Sequence, residues 1–445
     1  MVESIQAAII GAGPAGLFAA EKLAQAGYGV AVFNRDIKPG GMAEYGIYPE
    51  KHALKAGLRK QFQQILANDK VHYYGNLCIG TDRCITIETL RSWGVPAILV
   101  ACGAQGTKWL GIPGEKLTGV YHAKDLVYHY NLLPPFSTMD VRIGAKVVVV
   151  GAGNVMADIT RHLLTRPQVR EVHICVRRGP AEVKFSRKEL EPIIRNFDLV
   201  AFDREIARVA EMMRAIGQDP EAEKASILCA LERAEESKGS ASVYMHFLSS
   251  PTKIEGDDEE KVASVTLEDN TLVQVNDEVK ARGLGTFWSQ AADTVIFAIG
   301  DRVEEGLGLA VQHNEFLRTA RPDHPVDGQS YEVADPQTGE WQRGLFVAGW
   351  SRVPSSGLVG NAKKDGINAA CAMIQHFQAG SLDGGISMGD LEQKITALEC
   401  DVVMKPDLLK LMEIEKQKAL ELGIEEYKFV TNEEMLNVIL PGREV

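Results

Sequence analysis

Ala7-Ala8-Ile9-Ile10-Gly11-Ala12-Gly13-Pro14-Ala15-Gly16 decides how the rest of the chain is read, because the same grammar returns 140 residues later. The second copy is Val147-Val148-Val149-Val150-Gly151-Ala152-Gly153-Asn154-Val155-Met156-Ala157. Each run passes from an apolar, strand-like stretch through a glycine turn into a helical pattern, the context that makes a short glycine motif specific. The first glycine permits a tight turn. The second lets the backbone approach a pyrophosphate, and the third position stays small so that strand and helix pack. The helix starts, Pro14-Ala15 in one copy and Asn154-Val155 in the other, offer phosphates a positive dipole end and, Pro14 apart, free N–H groups. One such loop holds one dinucleotide. Two suggest that electrons pass between two dinucleotides.

With 445 residues there is room for two or three domains with good cores. The 45% hydrophobic and 24% charged content is that of an ordinary globular protein. No apolar run reaches the roughly 18 residues that a membrane span needs. No basic segment with an apolar core and cleavage site precedes the first strand, so a cytoplasmic location is expected. A net charge of −12 and a pI of 5.4 argue against a nucleic-acid partner, which needs a basic footprint. The seven cysteines (78, 84, 102, 175, 229, 371 and 400) are scattered and form no C-x-x-C pair. That excludes redox-disulfide chemistry of the thioredoxin-reductase kind and leaves no ligand set for an iron–sulfur cluster or other metal. They read as structural thiols in a reducing compartment.

Around the first loop the pattern is strand, glycine turn, helix with Leu17, Ala20, Leu23 and Ala24 on one face, then a strand over 29–33. A helix is predicted over 51–66 and a buried strand over 97–102. The second unit repeats the order, with a helix carrying Ile159, Leu163 and Leu164 and a strand over 171–176. One long helical insertion is predicted over 205–237. Strands over 243–248, 253–254, 263–267 and 272–275 follow, with an acidic solvated turn at 255–260. Short strands over 293–300 and 344–349 end in glycine, and the tail beyond 380 reads as helical, most clearly over 410–422. The first unit finds closing strands only when the chain returns near 344. The second domain is therefore expected to be inserted into the first, giving an α/β fold of two Rossmann-like dinucleotide-binding domains. The expected bounds are 1–107 and 335–445 for one and 108–334 for the other, with a C-terminal helical extension from about 381.

In such a fold the residue closing the second strand meets the ribose: an acid accepts from its hydroxyls, whereas an arginine accepts a 2′-phosphate. The second unit has Arg177-Arg178 there with no carboxylate beside them, which favours NADP(H) over NAD(H). The bland alternative is solvated surface charge. The first unit has Asn34 followed by Arg35 in place of the expected acid. Asn can still bond a ribose hydroxyl, without the charge.

These residues carry a resemblance. The chain resembles the adrenodoxin reductase family of FAD-containing ferredoxin–NADP reductases, which is related to the small subunit of glutamate synthase. Beyond the loops, the matching segments include Tyr48-Pro49-Glu50-Lys51-His52, Tyr74-Gly75-Asn76, Cys102-Gly103-Ala104-Gln105, Gly111-Ile112-Pro113-Gly114-Glu115 and Arg177-Arg178-Gly179-Pro180. Phe247-Leu248-Ser249-Ser250-Pro251, Gly349-Trp350 and the stretch from Gly357-Leu358-Val359 to Lys363-Lys364-Asp365 complete the set in family order.

The resemblance implies FAD in the discontinuous domain and NADPH in the inserted one, with a hydride passing from NADPH to FAD and single electrons passing reversibly to ferredoxin or a similar iron–sulfur protein. It implies cofactor contacts at Gly11, Gly13, Pro14, Ala15, Gly16, Asn34, Gly41, Gly46 and Gly103, and at Gly349, Trp350, Gly357, Leu358 and Val359. For NADP the implied contacts are Gly151, Gly153, Asn154, Val155, Arg177, Arg178 and Glu189. Trp350 would lie against the flavin, and a Gly357 N–H would face its N1/O2 edge, where negative charge develops. His52 matches a histidine thought to handle protons near the flavin. Glu189 matches an acid near the nicotinamide, but the second acid expected three positions on is Pro192. Docking of an acidic ferredoxin would use Lys51, Lys55, Arg59, Lys60, Arg161, Arg166, Lys184, Arg187 and Lys188. Two other readings stay open: an electron-transfer subunit of a larger complex, like the glutamate synthase small subunit, and a nucleotide-binding sensor without turnover.

Overall fold

The computed structural model describes residues 4–83, 85–276, 278–381, 384–398 and 400–440. Cys84 lies outside them. The chain divides into two compact units. Met1–Thr107, Tyr128–Thr138 and Gly300–Val445 form the first; Lys108–Val127 and Met139–Ile299 form the second.

The first unit is built on a sheet in the order Glu332–Ala334, Trp341–Val347, Ala97–Val100, Ser4–Ile10, Gly29–Phe33 and Val71–Tyr74. Ile386–Ser387 pairs antiparallel with the start of Ser4–Ile10. From Trp341–Val347 onward the path is parallel, and Ile9 stands beside both Val32 and Leu99. Parallel strands are covered on both faces, which is why these read as continuous apolar runs. Helix Pro14–Gln25 starts on a proline, whose missing N–H costs nothing at that position. It buries Leu17, Phe18 and Leu23 and packs against helix Val359–His376. Each such side chain contributes about 1.5–3 kcal/mol.

The second unit carries an all-parallel sheet in the order Val120–His122, Thr294–Phe297, Lys146–Val150, Glu171–Val176 and Ser242–Phe247. An antiparallel sheet, Ser249–Gly256, Val262–Val275 and Glu278–Ala291, packs on it. Ile254, Val265 and Leu267 meet Val148, Val150, Cys175 and Phe297 in the shared core.

Several boundaries differ from those predicted. The insertion was expected to run to 334, but the chain rejoins the first unit at Gly300. There Asp301–Arg302 pairs with Gly106–Thr107, and Glu332–Ala334 joins the first sheet. Tyr128–Thr138 also belongs to the first unit, where Tyr128 and Leu133 share a small core with Tyr45. The helix predicted over 205–237 is two helices, Leu199–Ala215 and Pro220–Leu228. Proline cannot sit in a helix interior, and Pro220 instead opens a helix capped by Asp219. The segments 263–267 and 272–275 are one strand, irregular between Glu268 and Asn270. The tail helix spans Lys405–Leu422. Among the described residues, no helix is long and apolar enough to cross a membrane.

Candidate dinucleotide sites

In the first unit the loop is forced by close approach. Gly11 sits at φ +109, and a Cβ there would lie 2.6 Å from the Ala101 carbonyl oxygen. Gly13 is the reverse case: a Cβ would meet nothing within 4 Å, so the backbone opens onto free space. No side chain caps the helix that begins at Pro14. An uncapped helix start behind an open glycine fits a pyrophosphate. Gly41 closes in from the side, since the Gly40 amide donates to the Ala12 carbonyl at 2.7 Å. Gly46 ends the short helix Met42–Tyr45. The Gly103 amide donates to Ser351 Oγ at 2.9 Å. Burial pushes the neighbouring Cys102 thiol up to about 11, which leaves it an inert thiol.

Asn34 has a structural task of its own. It is buried, and its Oδ1 accepts the Ala12 amide at 3.0 Å. Its Nδ2 faces the carbonyls of Asp36 and Lys38 at 2.8 and 3.1 Å and the Tyr73 hydroxyl at 3.2 Å. Two amide hydrogens face three acceptors, while Oδ1 has one further lone pair beyond the Ala12 bond. Asn34 thereby braces the glycine loop against the turn after the second strand. A carboxylate could accept from Ala12 but would face two carbonyls with no hydrogen to give. Asn is the residue type that does both.

Gly349 and Trp350 sit in a one-turn helix, Gly349–Ser351, and the Trp350 indole N–H donates to the Ser356 carbonyl at 2.9 Å. The turn is organised by Asp365, whose carboxylate accepts the Gly349 amide at 2.6 Å. It also takes the Arg352 Nη2 at 2.7 Å and the Tyr331 hydroxyl at 3.2 Å. The Arg352 guanidinium lies 4.7 Å from the Tyr331 ring centroid. Asp365 ends the stretch Gly357 to Asp365, and nothing in the sequence marks it as the hub. Gly357, at φ +71, and the exposed Leu358 lead into Val359, the first residue of an 18-residue helix.

His52 opens helix His52–Leu66, and its Nε2 lies 3.0 Å from Glu425. The structure gives His52 and Trp350 separate partners. Close to His52 in sequence lies a buried ionic network that the sequence does not reveal. Glu44 takes two bonds from Arg59 at 2.6 Å each and one from Lys428 at 2.9 Å, with Lys38 at 3.9 Å. Lys38 in turn holds Glu415 at 2.6 Å, while Glu426 meets Arg59 and lies 3.6 Å from Lys55. Burial lowers the Lys55 ammonium to about 8. Lys55 and Arg59 are therefore internal ties rather than docking charges, which corrects the expected basic patch.

In the second unit Gly151 repeats the part of Gly11 at φ +134, packed against Ala298, and Gly153 opens onto free space like Gly13. Helix Asn154–Leu164 has no side-chain cap, because its N-cap is Gly153, and Asn154 Oδ1 accepts the Ser186 amide at 2.8 Å. Val155, the next residue, is exposed. Arg177 and Arg178 follow strand Glu171–Val176 and line a cavity of about 590 Å³. Among the described residues neither forms a salt bridge. Glu189 is half-buried in the short helix Arg187–Leu190. Arg161 is buried against Glu235, a second correction to the patch, whereas Arg166, Lys184, Arg187 and Lys188 are exposed.

Residues 5–197 match the family model described as pyridine nucleotide-disulphide oxidoreductase. The chain is 28% identical over 410 residues to the NADPH-ferredoxin reductase FprA of Mycobacterium leprae, with 84% of each chain covered. It is 27% identical over 385 residues to the mitochondrial NADPH:adrenodoxin oxidoreductase of Arabidopsis thaliana, covering 79% of this chain and 78% of that one. The solved structure of Mycobacterium tuberculosis FprA in complex with NADPH superposes with a TM-score of 0.80 at 24% identity, over 98% of this chain and 99% of that one. The resemblance read from the motifs thus extends along the chain, and the α/β fold is the one that structure shares.

Proposed function

We propose that the chain is an FAD-dependent oxidoreductase in which NADPH reduces the flavin and electrons leave singly to a ferredoxin-like iron–sulfur protein, in either direction. The observation that carries this reading is the repeated device: two glycine-entered, uncapped helix starts in two separate units, the second followed by an arginine pair that forms no salt bridge among the described residues. Similarity to proteins named NADPH-ferredoxin and NADPH:adrenodoxin reductases supports it. Bound FAD would supply the redox chemistry, since a flavin accepts a hydride and releases electrons one at a time.

The protein's part is binding, orientation and electrostatics. In the first unit the amides of Gly13, Ala15 and Gly16 would hold the FAD pyrophosphate, with Gly11 and Pro14 shaping the turn and Gly41, Gly46 and Gly103 keeping the approach open. Asp365 would fix the Gly349-Trp350 turn against the flavin. Gly357 would turn its backbone N–H toward the flavin's pyrimidine edge, favouring the reduced form, with Leu358 and Val359 beside it and the Leu358 amide held by Asn361 Oδ1 at 3.2 Å. His52, paired with Glu425, would hold or pass a proton. In the second unit Gly151, Gly153, Asn154 and Val155 would take the NADP pyrophosphate, Arg177 and Arg178 its 2′-phosphate, and Glu189 would stand toward the nicotinamide. Lys60 in one unit, and Arg166, Lys184, Arg187 and Lys188 in the other, remain exposed to meet an acidic partner. The six described cysteines are free thiols, which supports a cytoplasmic setting.

The deciding experiment is anaerobic. NADPH is added to the purified yellow protein, flavin bleaching is followed, and oxidised ferredoxin is then added. Bleaching and then reoxidation is expected. Absence of bleaching with either nicotinamide would overturn the reading.

A further inference from the structure

The cavity beside Arg177 and Arg178 has a second wall. Opposite the arginines stand Glu278, Val279, Lys280 and Ala281, the first residues of strand Glu278–Ala291. Together with strand Val262–Val275 they form a long hairpin, in register from Asn270 opposite Gly283 to Val275 opposite Glu278. Nothing in the glycine loop or the arginine pair calls for such an arm.

The hairpin is keyed to the arginines themselves. Asn270 is 3% exposed, and its Nδ2 donates to the Arg177 carbonyl at 3.0 Å and to Ser250 Oγ at 2.7 Å. The Leu248 amide donates to the Arg178 carbonyl at 3.1 Å, and the Asn270 amide donates to the Leu248 carbonyl at 2.8 Å. This short chain of bonds sets where the hairpin leaves the sheet, and so where residues 278–281 stand.

The charges in the cavity sort themselves. Glu182 is engaged, accepting the Gly179 amide at 2.9 Å and the Gln218 side chain. Glu278 lies 3.7 Å from Lys280, and both side chains are exposed. Three cations therefore surround one space: two planar guanidiniums on one wall and a flexible ammonium on the other. A dianionic phosphate ester suits that set, since guanidinium pairs fork onto its oxygens and an ammonium adds a point charge.

We propose that the hairpin over 262–291 forms the second wall of an adenosine 2′-phosphate site and that Lys280 is a specificity-determining cation in it. On binding, Lys280 leaves Glu278 for the phosphate. The proposal rests on the NADPH reading of the second unit and adds to it a residue more than 100 positions from the arginine pair.

The test is calorimetric, on the purified holoprotein, with 2′-AMP and 5′-AMP as probes, so flavin turnover plays no part in the readout. Wild-type protein is expected to prefer 2′-AMP. Lys280→Gln, an exposed change that leaves the fold intact, is expected to weaken 2′-AMP about five- to tenfold and to leave 5′-AMP unmoved. Lys280→Arg is expected to restore most of the loss. If Lys280→Gln stays within twofold of wild type while Arg178→Gln loses 2′-AMP, the hairpin is no part of the site and the proposal falls alone. If wild-type protein binds the two probes equally, the NADPH reading falls and takes the proposal with it.

Discussion

Replacing Glu44 with Gln tests whether the first unit is held together as described. The Glu44 carboxylate is 3% exposed and accepts two bonds from Arg59 and one from Lys428, with Lys38 beyond. The network it belongs to counts four cations (Lys38, Lys55, Arg59, Lys428) against three carboxylates (Glu44, Glu415, Glu426). Gln keeps the shape but leaves four cations facing two carboxylates and turns an amide N–H₂ toward a guanidinium. Deleting one partner of a buried ionic group costs about 3–5 kcal/mol, although exchanging a whole network for apolar residues is often neutral. Glu426, 3.4 Å from Lys428 and in contact with Arg59, offsets part of the loss. A cost of about 2–4 kcal/mol is therefore expected at pH 7 in urea unfolding.

The pH dependence is the stricter check. Burial raises the Glu44 carboxyl, but Lys38, Lys428 and Arg59 outweigh it and hold it well below the usual carboxylate range. A carboxyl depressed by folding contributes stability that is full above its unfolded value of about 4.3 and is lost as pH falls below it. The gap between wild type and Glu44→Gln should thus be widest at neutral pH and shrink below about pH 4. A variant within about 0.5 kcal/mol of wild type at pH 7, or a gap that stays constant into acid, would refute the argument.

Other outcomes follow from single contacts. Asn34→Asp sets a carboxylate against the carbonyls of Asp36 and Lys38, so it should lose FAD faster during dialysis than Asn34→Ala; the reverse order would mean the amide bonds are incidental. Asp365→Asn keeps an acceptor for Gly349 but strips Arg352 of its charge partner, and should shift Trp350 fluorescence with a modest loss of stability of about 1–3 kcal/mol. An unchanged emission spectrum would show that Trp350 is held without it. Arg178→Ala should raise the apparent KM for NADPH far more than that for NADH; equal effects would sink the 2′-phosphate assignment.

Local features were legible in the sequence, and distant ones were not. The two glycine loops announce themselves because the turn, the open second glycine and the small third position are all set within ten residues. The return at Gly300 escaped notice because the strands that close it, Gly106–Thr107 and Asp301–Arg302, are too short to show any periodicity. The break in the segment 205–237 was legible in Pro220 and was overridden by the helical composition around it. The site's supports lie further out of reach. Lys428 and Glu415 sit about 380 positions from the residues they neutralise, so Glu44, Lys55 and Arg59 read as surface charge until the tail is laid across them. Asn34 was recognised as a departure, but its reason, a brace with both donor and acceptor work, needs the backbone of 36–38 in place.

The split first unit also sets an order of events during synthesis. Every strand of the second unit has emerged by Phe297, and domains generally fold as units while the chain is being made. The first unit must wait for its sheet partner Trp341–Val347 and then for Lys428, near the end of the chain, to meet Glu44. A ribosome-bound chain stalled near residue 340, far enough on for the central strand Thr294–Phe297 to clear the exit tunnel, should therefore carry a protease-resistant middle and a protease-sensitive beginning. The glycine loop made first is among the last parts to be finished, and cofactor capture there becomes a late step of biogenesis.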